Sequence, residues 1–147
     1  MLEYFFVYGT LKEGFNNHHI IKRFNGELVD YGTIQGILLD YNGRFPVALE
    51  SEDANRQIQG EIYVFPEETA ALAKETLDHL EGYNEDEGGL DRWIYKRLKV
   101  LARGSETSWT RFEVWAYFGH DKGMIEDAKD IHSDVWNGPS NIPITNY

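Results

Sequence analysis

The stretch TRFEVWAYFGH, residues 110–120, constrains the fold more than any other part of this sequence. In a β-strand, alternate residues from Phe112 to Phe118 point one way while Trp115 and Tyr117 point the other, so both faces carry bulky side chains. Such a strand has to be covered on both faces. A small closed barrel wrapped by helices provides this, because one face fills the barrel and the other packs under helices. The stretch therefore predicts an α+β fold, a small mixed β-barrel flanked by α-helices.

Other segments supply further strands. The run MLEYFFVY, residues 1–8, is almost continuously apolar, which predicts a strand in the middle of the sheet. The segment at residues 31–51 carries Asn42-Gly43 between two β-rich runs, the strongest local signal for a hairpin. Two more strands are predicted in RQIQGEIYVFP and RWIYKRLKVLA. In the first, one face carries Ile58, Gly60, Ile62 and Val64. In the second, one face carries Ile94, Leu98 and Val100.

Three segments have helical patterns. NNHHIIKRFNG predicts a short helix with Asn16 or Asn17 as its cap and Gly26 at its end. PEETAALAKETLDHLEG, residues 66–82, opens with proline and acidic residues and stops at Gly82, and its predicted buried residues are Leu72, Ala73, Leu77 and Leu80. DKGMIEDAKDIHSDVWNG, residues 121–138, predicts a helix capped by Asp121, with helical spacing of Met124, Ala128, Ile131 and Val135. The tail GPSNIPITNY has no periodicity.

Length and composition limit the possible classes of protein. A chain of 147 residues that is 41% hydrophobic fits one domain, taken here as residues 1–147. The absence of cysteine excludes disulfides, zinc-cysteine sites and thiol nucleophiles. A net charge of −11 argues against nucleic acid as a partner. No apolar run approaches the roughly 20 residues that span a bilayer. MLEYFFVYGT also lacks the features of a signal peptide. We therefore expect a cytoplasmic protein without a membrane partner.

The first strand runs directly into Gly9-Thr10 and then into a helix start. A turn of this kind can direct several successive main-chain N–H groups toward one point, forming a nest for an anion. We therefore expect a binding loop here, although many strand–Gly–Thr turns are simply turns.

Glu81 is the second candidate for the functional site, after the Gly9-Thr10 turn. It lies at the end of the predicted helix, in LDHLEGY. Unpaired carbonyl groups at a helix end disfavour a carboxylate by roughly 0.3 to 1 kcal/mol. If burial adds to this effect, the pKa of Glu81 rises toward neutrality, as a general base acting on an ammonium group requires. Alternatively, Glu81 is simply solvated.

Five segments taken together resemble a known family. They are YGTLK after the first strand, FPVAL after the hairpin turn, GEIYVFP before a helix, LDHLEGY at its end and YKRLKV in the strand after an acidic loop. In this order, over roughly residues 4–118, they resemble the γ-glutamylcyclotransferase-like family, including its γ-glutamylamine cyclotransferase and AIG2-like members.

The resemblance implies a small barrel with flanking helices and a pocket at the end of the first strand. Tyr8, Gly9, Thr10 and Leu11 match the family's substrate-binding loop, and Glu81 matches its catalytic glutamate. The family reaction, of acyltransferase or lyase type, converts a γ-glutamyl amine or peptide to 5-oxoproline and a free amine. No cofactor is implied. Tyr117 lies on a strand where family members often carry a pocket aromatic, and it is a further candidate contact, while Trp115 is equally plausible as packing.

Elementary chemistry is consistent with this reaction. Nucleophile and electrophile lie in one γ-glutamyl group, so the protein has only to bring the α-nitrogen to the γ-carbonyl. The main-chain N–H groups of Gly9 to Leu11 would anchor a carboxylate or stabilise the oxyanion, and the sequence leaves both open. Glycine at position 9 would let the ligand approach closely. Lys12 could add positive charge near a substrate carboxylate, or be solvated.

The acidic loop NEDEGGLDRW departs from the commonest pattern of the family and leaves substrate choice open. Its carboxylates, Glu85, Asp86, Glu87 and Asp91, lack EF-hand spacing, so we expect no metal site. A solvated loop, or a lid that moves at Gly88-Gly89, is the preferred interpretation. Neighbouring His18 and His19 point in different directions on a helix, and His79 is expected at the surface.

Two rival functions remain. The fold could serve as a non-catalytic module that binds a metabolite or a protein, because folds outlive functions and the acidic loop could reshape the pocket. An enzyme of this type could also act on a larger γ-glutamylated carrier, for which a shallow open pocket is expected. The sequence does not indicate the leaving amine, the pathway or the oligomeric state.

Overall fold

The computed structural model describes residues 3–83, 94–104 and 110–136. Its strands are β1 (Tyr4–Val7), β2 (Glu27–Gln35), β3 (Ile37–Tyr41), β4 (Phe45–Leu49), β5 (Gln57–Val64), β6 (Tyr95–Gly104), β7 (Arg111–Gly119) and β8 (Lys129–Asp130). Its helices are α1 (His18–Arg23), α2 (Glu67–Leu80) and α3 (Lys122–Asp127). Within the described ranges, no helix is long and apolar enough to cross a membrane.

The central element is a closed barrel with the strand order β1-β5-β2-β6-β7. Strand β1 pairs antiparallel with β5 and parallel with β7, and the remaining pairs are antiparallel. With a partner on each edge and Phe5 and Phe6 each 1% exposed, β1 is the central strand that the sequence predicted. The predicted mixed barrel with flanking helices is confirmed.

The two faces of β7 pack into different hydrophobic clusters. Val114, Ala116 and Phe118 pack inside the barrel with residues from all four of the remaining barrel strands. Tyr117 belongs to a second cluster, which includes Leu77 of α2, and Trp115 packs against it. The alternation predicted for this strand is therefore observed, with the helices covering its outer face.

The Asn42-Gly43 hairpin forms as predicted, with both residues in the left-handed region at φ 53° and 72°. It joins β3 to β4. These strands do not enter the barrel but form a separate three-stranded sheet of order β4-β3-β8. The additional strand β8 pairs with β3 at Leu39 and Asp40. This second sheet was not predicted, because its third strand is too short to have a sequence signature.

The expected helix over residues 121–138 is wrong beyond its first turns. Asp121 caps α3 by accepting the Met124 N–H, as predicted, but the helix ends at Asp127. Ala128 adopts an extended conformation, and the chain then forms β8, where Asp130 pairs with Arg56 at 2.9 Å. Ile131 and Val135 therefore lie outside any helix. Strand pairing and this ion pair override the helical spacing.

Burial along α2 and at the start of β6 differs from the expectation. Ala73 and Leu77 are buried, but Leu72 is 57% and Leu80 39% exposed. Ile94 lies before β6 rather than in it and is 48% exposed. The sequence pattern assigned these residues to the core because they are apolar at the right spacing. Leu80 and Ile94 instead line a pocket.

Helix α1 ends differently from the prediction. It ends at Arg23 with Phe24 as its C-cap, and Asn25 rather than Gly26 takes the left-handed conformation, at φ 59°. The predictions made for the acidic loop, including Glu85, Asp86, Glu87, Gly88-Gly89 and Asp91, and for the tail 138–147 lie outside the described residues.

Candidate active site

A pocket of about 390 Å³ lies where β1 ends. Its walls come from the loop after β1, the turn and first residues of β4, the C-terminal end of α2, the start of β6 and β7. Six candidate site residues predicted from the sequence line this pocket, namely Tyr8, Gly9, Thr10, Leu11, Glu81 and Tyr117. The fold thus brings together residues that are far apart in the chain.

The loop after β1 is held by its own hydrogen bonds. The Lys12 N–H donates to the Gly9 carbonyl at 3.0 Å, and the Asn17 N–H donates to the Thr10 carbonyl at 3.0 Å. The Asn17 side chain also donates to Thr10 Oγ1 at 2.8 Å, so it ties the loop rather than capping α1 as predicted. These bonds fix the loop as a defined turn.

The N–H groups of Gly9, Thr10 and Leu11 have no hydrogen-bond acceptor among the residues that the structure describes. The turn bonds use carbonyls of this loop as acceptors and leave these successive donors unused. Main-chain N–H groups rarely stay without a partner when they are shielded from water. All three residues line the pocket, so these donors are available to a ligand there.

Glycine at position 9 has a packing reason. A Cβ at this position would lie 2.6 Å from Pro46 Cγ, and its backbone is not in the left-handed region. The loop therefore lies directly against β4, and only glycine fits without a shift. The expected reason, close approach of a ligand, stays a prediction beside this packing constraint.

Glu81 is the residue at which α2 ends. Its N–H donates to the Leu77 carbonyl at 3.0 Å, and its own carbonyl accepts the Tyr95 N–H at 3.2 Å. Gly82 follows with φ 66°, the left-handed conformation that terminates many helices. The helix end and the start of β6 therefore fix the main chain of Glu81 at the pocket wall.

The carboxylate of Glu81 is desolvated. Burial raises the pKa of Glu81 from 4.5 to about 7. Across residues 3–83, 94–104 and 110–136, no hydrogen bond or ion pair to this carboxylate is found. A carboxyl group without donors and with little water is poised to exchange a proton near neutral pH.

Three tyrosines surround Glu81, and each directs its hydroxyl proton elsewhere. Tyr8 donates to the Tyr117 carbonyl at 2.6 Å, and Tyr95 donates to the Pro46 carbonyl at 2.7 Å. Tyr117 donates to Asp78 Oδ1 at 2.6 Å. Burial raises the pKa of all three, and the nearby charge of Glu81 adds to this effect. Since a hydroxyl has one proton, these oxygens can offer only lone pairs to the pocket.

Asp78 also forms an ion pair with Arg97, whose side chain is 2% exposed. The Arg97 guanidinium lies over the rings of Trp115, at 4.7 Å, and Tyr83, at 5.1 Å. Trp115 does not line the pocket, so the packing alternative holds for it. The ion pair fastens the last turn of α2 to β6.

The prediction for Lys12 is not supported, since this residue does not line the Glu81 pocket. Its Nζ donates to the Trp136 carbonyl at 2.7 Å, and it borders a separate cavity of about 550 Å³. Among the described residues, Arg44 supplies the basic side chain at the Glu81 pocket instead. His79 is exposed, as expected, while His18 is buried and bonds the Leu11 carbonyl at 2.8 Å.

Sequence reasoning missed four residues of this region, Arg44, Asp78, Tyr95 and Arg97. Asp78 and Arg97 lie inside the motifs LDHLEGY and YKRLKV, but nothing in those motifs shows that the two side chains pair. Arg44 follows the Asn-Gly turn, a place where a charged residue is commonly just exposed. Tyr95 belongs to the strand predicted in RWIYKRLKVLA, and nothing in that pattern indicates that its side chain lines a pocket.

Comparison with known proteins gives consistent results. The model of the family described as γ-glutamyl cyclotransferase, AIG2-like, matches residues 5–138. A Methanocaldococcus jannaschii protein, named as a γ-glutamylcyclotransferase, is 32% identical over 133 residues, which cover 88% of this chain and 95% of that protein. The γ-L-glutamyl-butirosin B γ-glutamyl cyclotransferase of Niallia circulans is 31% identical over 142 residues, with 86% and 84% coverage.

Solved structures share the fold. An AIG2-like protein of Mus musculus superposes with a TM-score of 0.63 at 20% identity, covering 96% of this chain and 99% of that one. YkqA of Bacillus subtilis superposes with a TM-score of 0.62 at 22% identity. The superposition covers 92% of this chain and 40% of YkqA. At these identities the likeness concerns the fold alone. The family match and the relatives show that this chain belongs to the γ-glutamyl cyclotransferase, AIG2-like family.

Proposed function

We propose that this protein is a γ-glutamyl cyclotransferase that converts a γ-glutamyl amine or γ-glutamyl peptide to 5-oxoproline and a free amine. One observation carries the proposal. The desolvated carboxylate of Glu81 and the unused N–H groups of Gly9, Thr10 and Leu11 line the same pocket. The pocket volume, about 390 Å³, suits a small substrate.

The reaction needs one bond to form and one to break. The α-amino nitrogen of the γ-glutamyl group attacks its own γ-carbonyl carbon, closing the ring as the new C–N bond forms. The old amide C–N bond then breaks, and the leaving amine takes up a proton. Because both reacting groups belong to one molecule, a pocket that bends the γ-glutamyl group until they meet accelerates the reaction by proximity.

Glu81 is proposed to move the proton. The α-amino group is mostly ammonium at neutral pH, with an ordinary pKa of about 8, and must lose a proton before it can attack. A base whose pKa of about 7 lies close to that value can accept this proton and return it to the departing amine. An ordinary exposed glutamate would be a much weaker base.

The surrounding tyrosines support binding of the ammonium group beside Glu81. The hydroxyl protons of Tyr8, Tyr95 and Tyr117 are donated to other protein oxygens, and all three residues line the pocket, so their hydroxyl oxygens would meet a ligand only as acceptors. An ammonium group has donors and no acceptor, which makes it the complementary ligand. Lone pairs around the reacting nitrogen would also help to hold it in place after it loses its proton.

The loop N–H groups are proposed to bind the negative charge of the substrate. They suit either the α-carboxylate of the γ-glutamyl group or the oxyanion that develops on the γ-carbonyl oxygen. Because the donors are held by the turn bonds of the loop, they require little reorganisation when charge develops.

The test is to incubate the purified protein with γ-glutamyl amines and γ-glutamyl dipeptides and to measure 5-oxoproline and released amine. Equal amounts of both products are expected. If the protein is stabilised by γ-glutamyl compounds but forms neither product across the panel, the non-catalytic binding module becomes the better account. Turnover restricted to a γ-glutamylated protein would indicate the larger-carrier alternative.

A further inference from the structure

Arg44 supplies the basic side chain among the described residues that line the proposed active site. It follows the Asn42-Gly43 turn and is exposed, so it lies on the open side of the pocket. The chemistry proposed above assigns it no role. The chain has a net charge of −11, so a cation at the mouth of the site is unusual and suggests a specific role.

The turn that presents Arg44 is well anchored. The Gly43 N–H donates to Asp40 Oδ2 at 2.7 Å, and the Arg44 N–H donates to the Tyr41 carbonyl at 2.9 Å. The next residue, Phe45, stacks on Tyr41 with ring centroids 5.1 Å apart. The main chain of Arg44 therefore has a fixed position relative to the pocket.

The guanidinium of Arg44 has no hydrogen bond or ion pair within the part of the chain that the structure describes. Other surface cations do pair, for example Arg56 with Asp130 at 2.9 Å and Lys96 with Glu50 at 2.9 Å. Since no described residue pairs with its guanidinium, Arg44 is available to a ligand at the pocket.

The γ-glutamyl group does not require Arg44. Its ammonium is matched by Glu81 and the tyrosine oxygens, and its carboxylate or carbonyl is matched by the N–H groups of Gly9 to Leu11. Two exposed apolar residues, Leu80 and Ile94, line the same pocket as Arg44 and are 39% and 48% exposed. Together these three exposed residues offer an apolar surface and a cation to whatever is attached to the γ-carbonyl.

We propose that Arg44 is a specificity residue that binds a carboxylate on the leaving amine, so that the preferred substrates are γ-glutamyl amino acids with small apolar side chains rather than γ-glutamyl amines. This inference rests on the proposed function. The planar guanidinium can hold a carboxylate through two parallel hydrogen bonds, a geometry that neither a neutral nor a cationic group can use.

The experiment compares three leaving amines of similar size and different charge. γ-Glutamyl-alanine carries a carboxylate, γ-glutamyl-alaninamide is its neutral isostere, and a γ-glutamyl diamine carries a cation. Values of kcat/KM for 5-oxoproline formation are expected to fall in that order for the wild type, by about tenfold or more between the first two, given the strength of charged hydrogen bonds. In Arg44→Gln, the value for γ-glutamyl-alanine falls to about that of the amide.

Arg103→Gln is the matched control, because it removes the same charge from an exposed residue that lies outside this pocket. It is expected to keep the wild-type order. An equal loss on all three substrates in Arg44→Gln would overturn the inference and place Arg44 on the γ-glutamyl group itself. Wild-type kcat/KM that does not depend on leaving-group charge would also overturn it. Absence of 5-oxoproline from every substrate would instead reject the proposed function, and with it this inference.

Discussion

The hydroxyl of Tyr117 donates to Asp78 Oδ1 at 2.6 Å, which links the barrel strand β7 to the helix that ends three residues later at Glu81. The other carboxylate oxygen of Asp78 pairs with Arg97 of β6. Asp78 thus joins the last turn of α2 to two neighbouring barrel strands. This arrangement fixes the position of Glu81 relative to Tyr117, on which the proposed chemistry depends.

Tyr117→Phe should lower the free energy of unfolding by about 2 kcal/mol, because it removes a hydrogen bond to a charged carboxylate. Urea denaturation of both proteins measures this change. The matched control is Tyr31→Phe, since Tyr31 is 49% exposed and its hydroxyl makes no hydrogen bond to the described residues. Equal stability changes in both variants would contradict a structural role for the Asp78–Tyr117 hydrogen bond.

Gly9→Ala should move the binding loop. The added methyl group would lie 2.6 Å from Pro46 Cγ and 3.0 Å from Cδ, and a proline ring cannot swing aside. We expect the free energy of unfolding to fall by about 1–3 kcal/mol, as is usual for overpacking, and KM to rise as the loop N–H groups shift. Denaturation and steady-state kinetics measure the two effects.

Gly123→Ala is the control for this substitution. Gly123 lies in α3, and the nearest atom to an added Cβ is Asp121 Oδ2 at 3.5 Å, an ordinary contact. Alanine in a helix is favoured over glycine by about 0.5–1 kcal/mol, so this variant should be as stable as the wild type or slightly more stable. Unchanged stability and KM in Gly9→Ala would contradict the prediction that contact with Pro46 excludes a methyl group at position 9.

Much of the fold was readable from the sequence because strand signals are local. Each of three local patterns predicts the element in which it lies: the alternation in β7, the apolar run of β1 and the Asn42-Gly43 turn. The failures arose where a distant partner decides the outcome. Ala128 and the residues after it leave the helix for strand pairing with β3, and no local pattern reveals that partner.

The candidate site divides in the same way. Glu81 and the Gly9-Thr10 loop stand out because a helix end and a strand end have known electrostatic properties, and the resemblance paired them. The role of Asp78 was not predictable, because it depends on Tyr117 and Arg97, which only the folded barrel brings within reach. Apolar Leu80 and Ile94 were assigned to the core because spacing alone cannot distinguish a core residue from a pocket wall.

Glu81→Gln should stabilise the protein at pH 8. The pKa of Glu81 in the folded state, about 7, is above its ordinary 4.5, so the folded state keeps a proton that the unfolded chain loses between these values. The contribution of Glu81 to stability is therefore fully present below about pH 4.5 and is lost as pH rises through 7. The advantage of the glutamine variant should appear over this interval.

Chemical denaturation at pH 5 and pH 8 measures this difference. Glu75→Gln, at an exposed position of α2, is the control and should show no gain that grows with pH. If the stability difference between wild type and Glu81→Gln were the same at both pH values, the carboxylate would not be desolvated as described.

The central claim is that Glu81 is the base, and the most direct measurement is kcat/KM for 5-oxoproline formation by wild type and Glu81→Gln across pH. The wild-type value should decline on the acid side with an apparent pKa near 7. The folded glutamine variant should lose about 10²- to 10⁴-fold, the usual contribution of a general acid–base group. A folded Glu81→Gln protein that keeps wild-type turnover and the same acid limb would contradict the account.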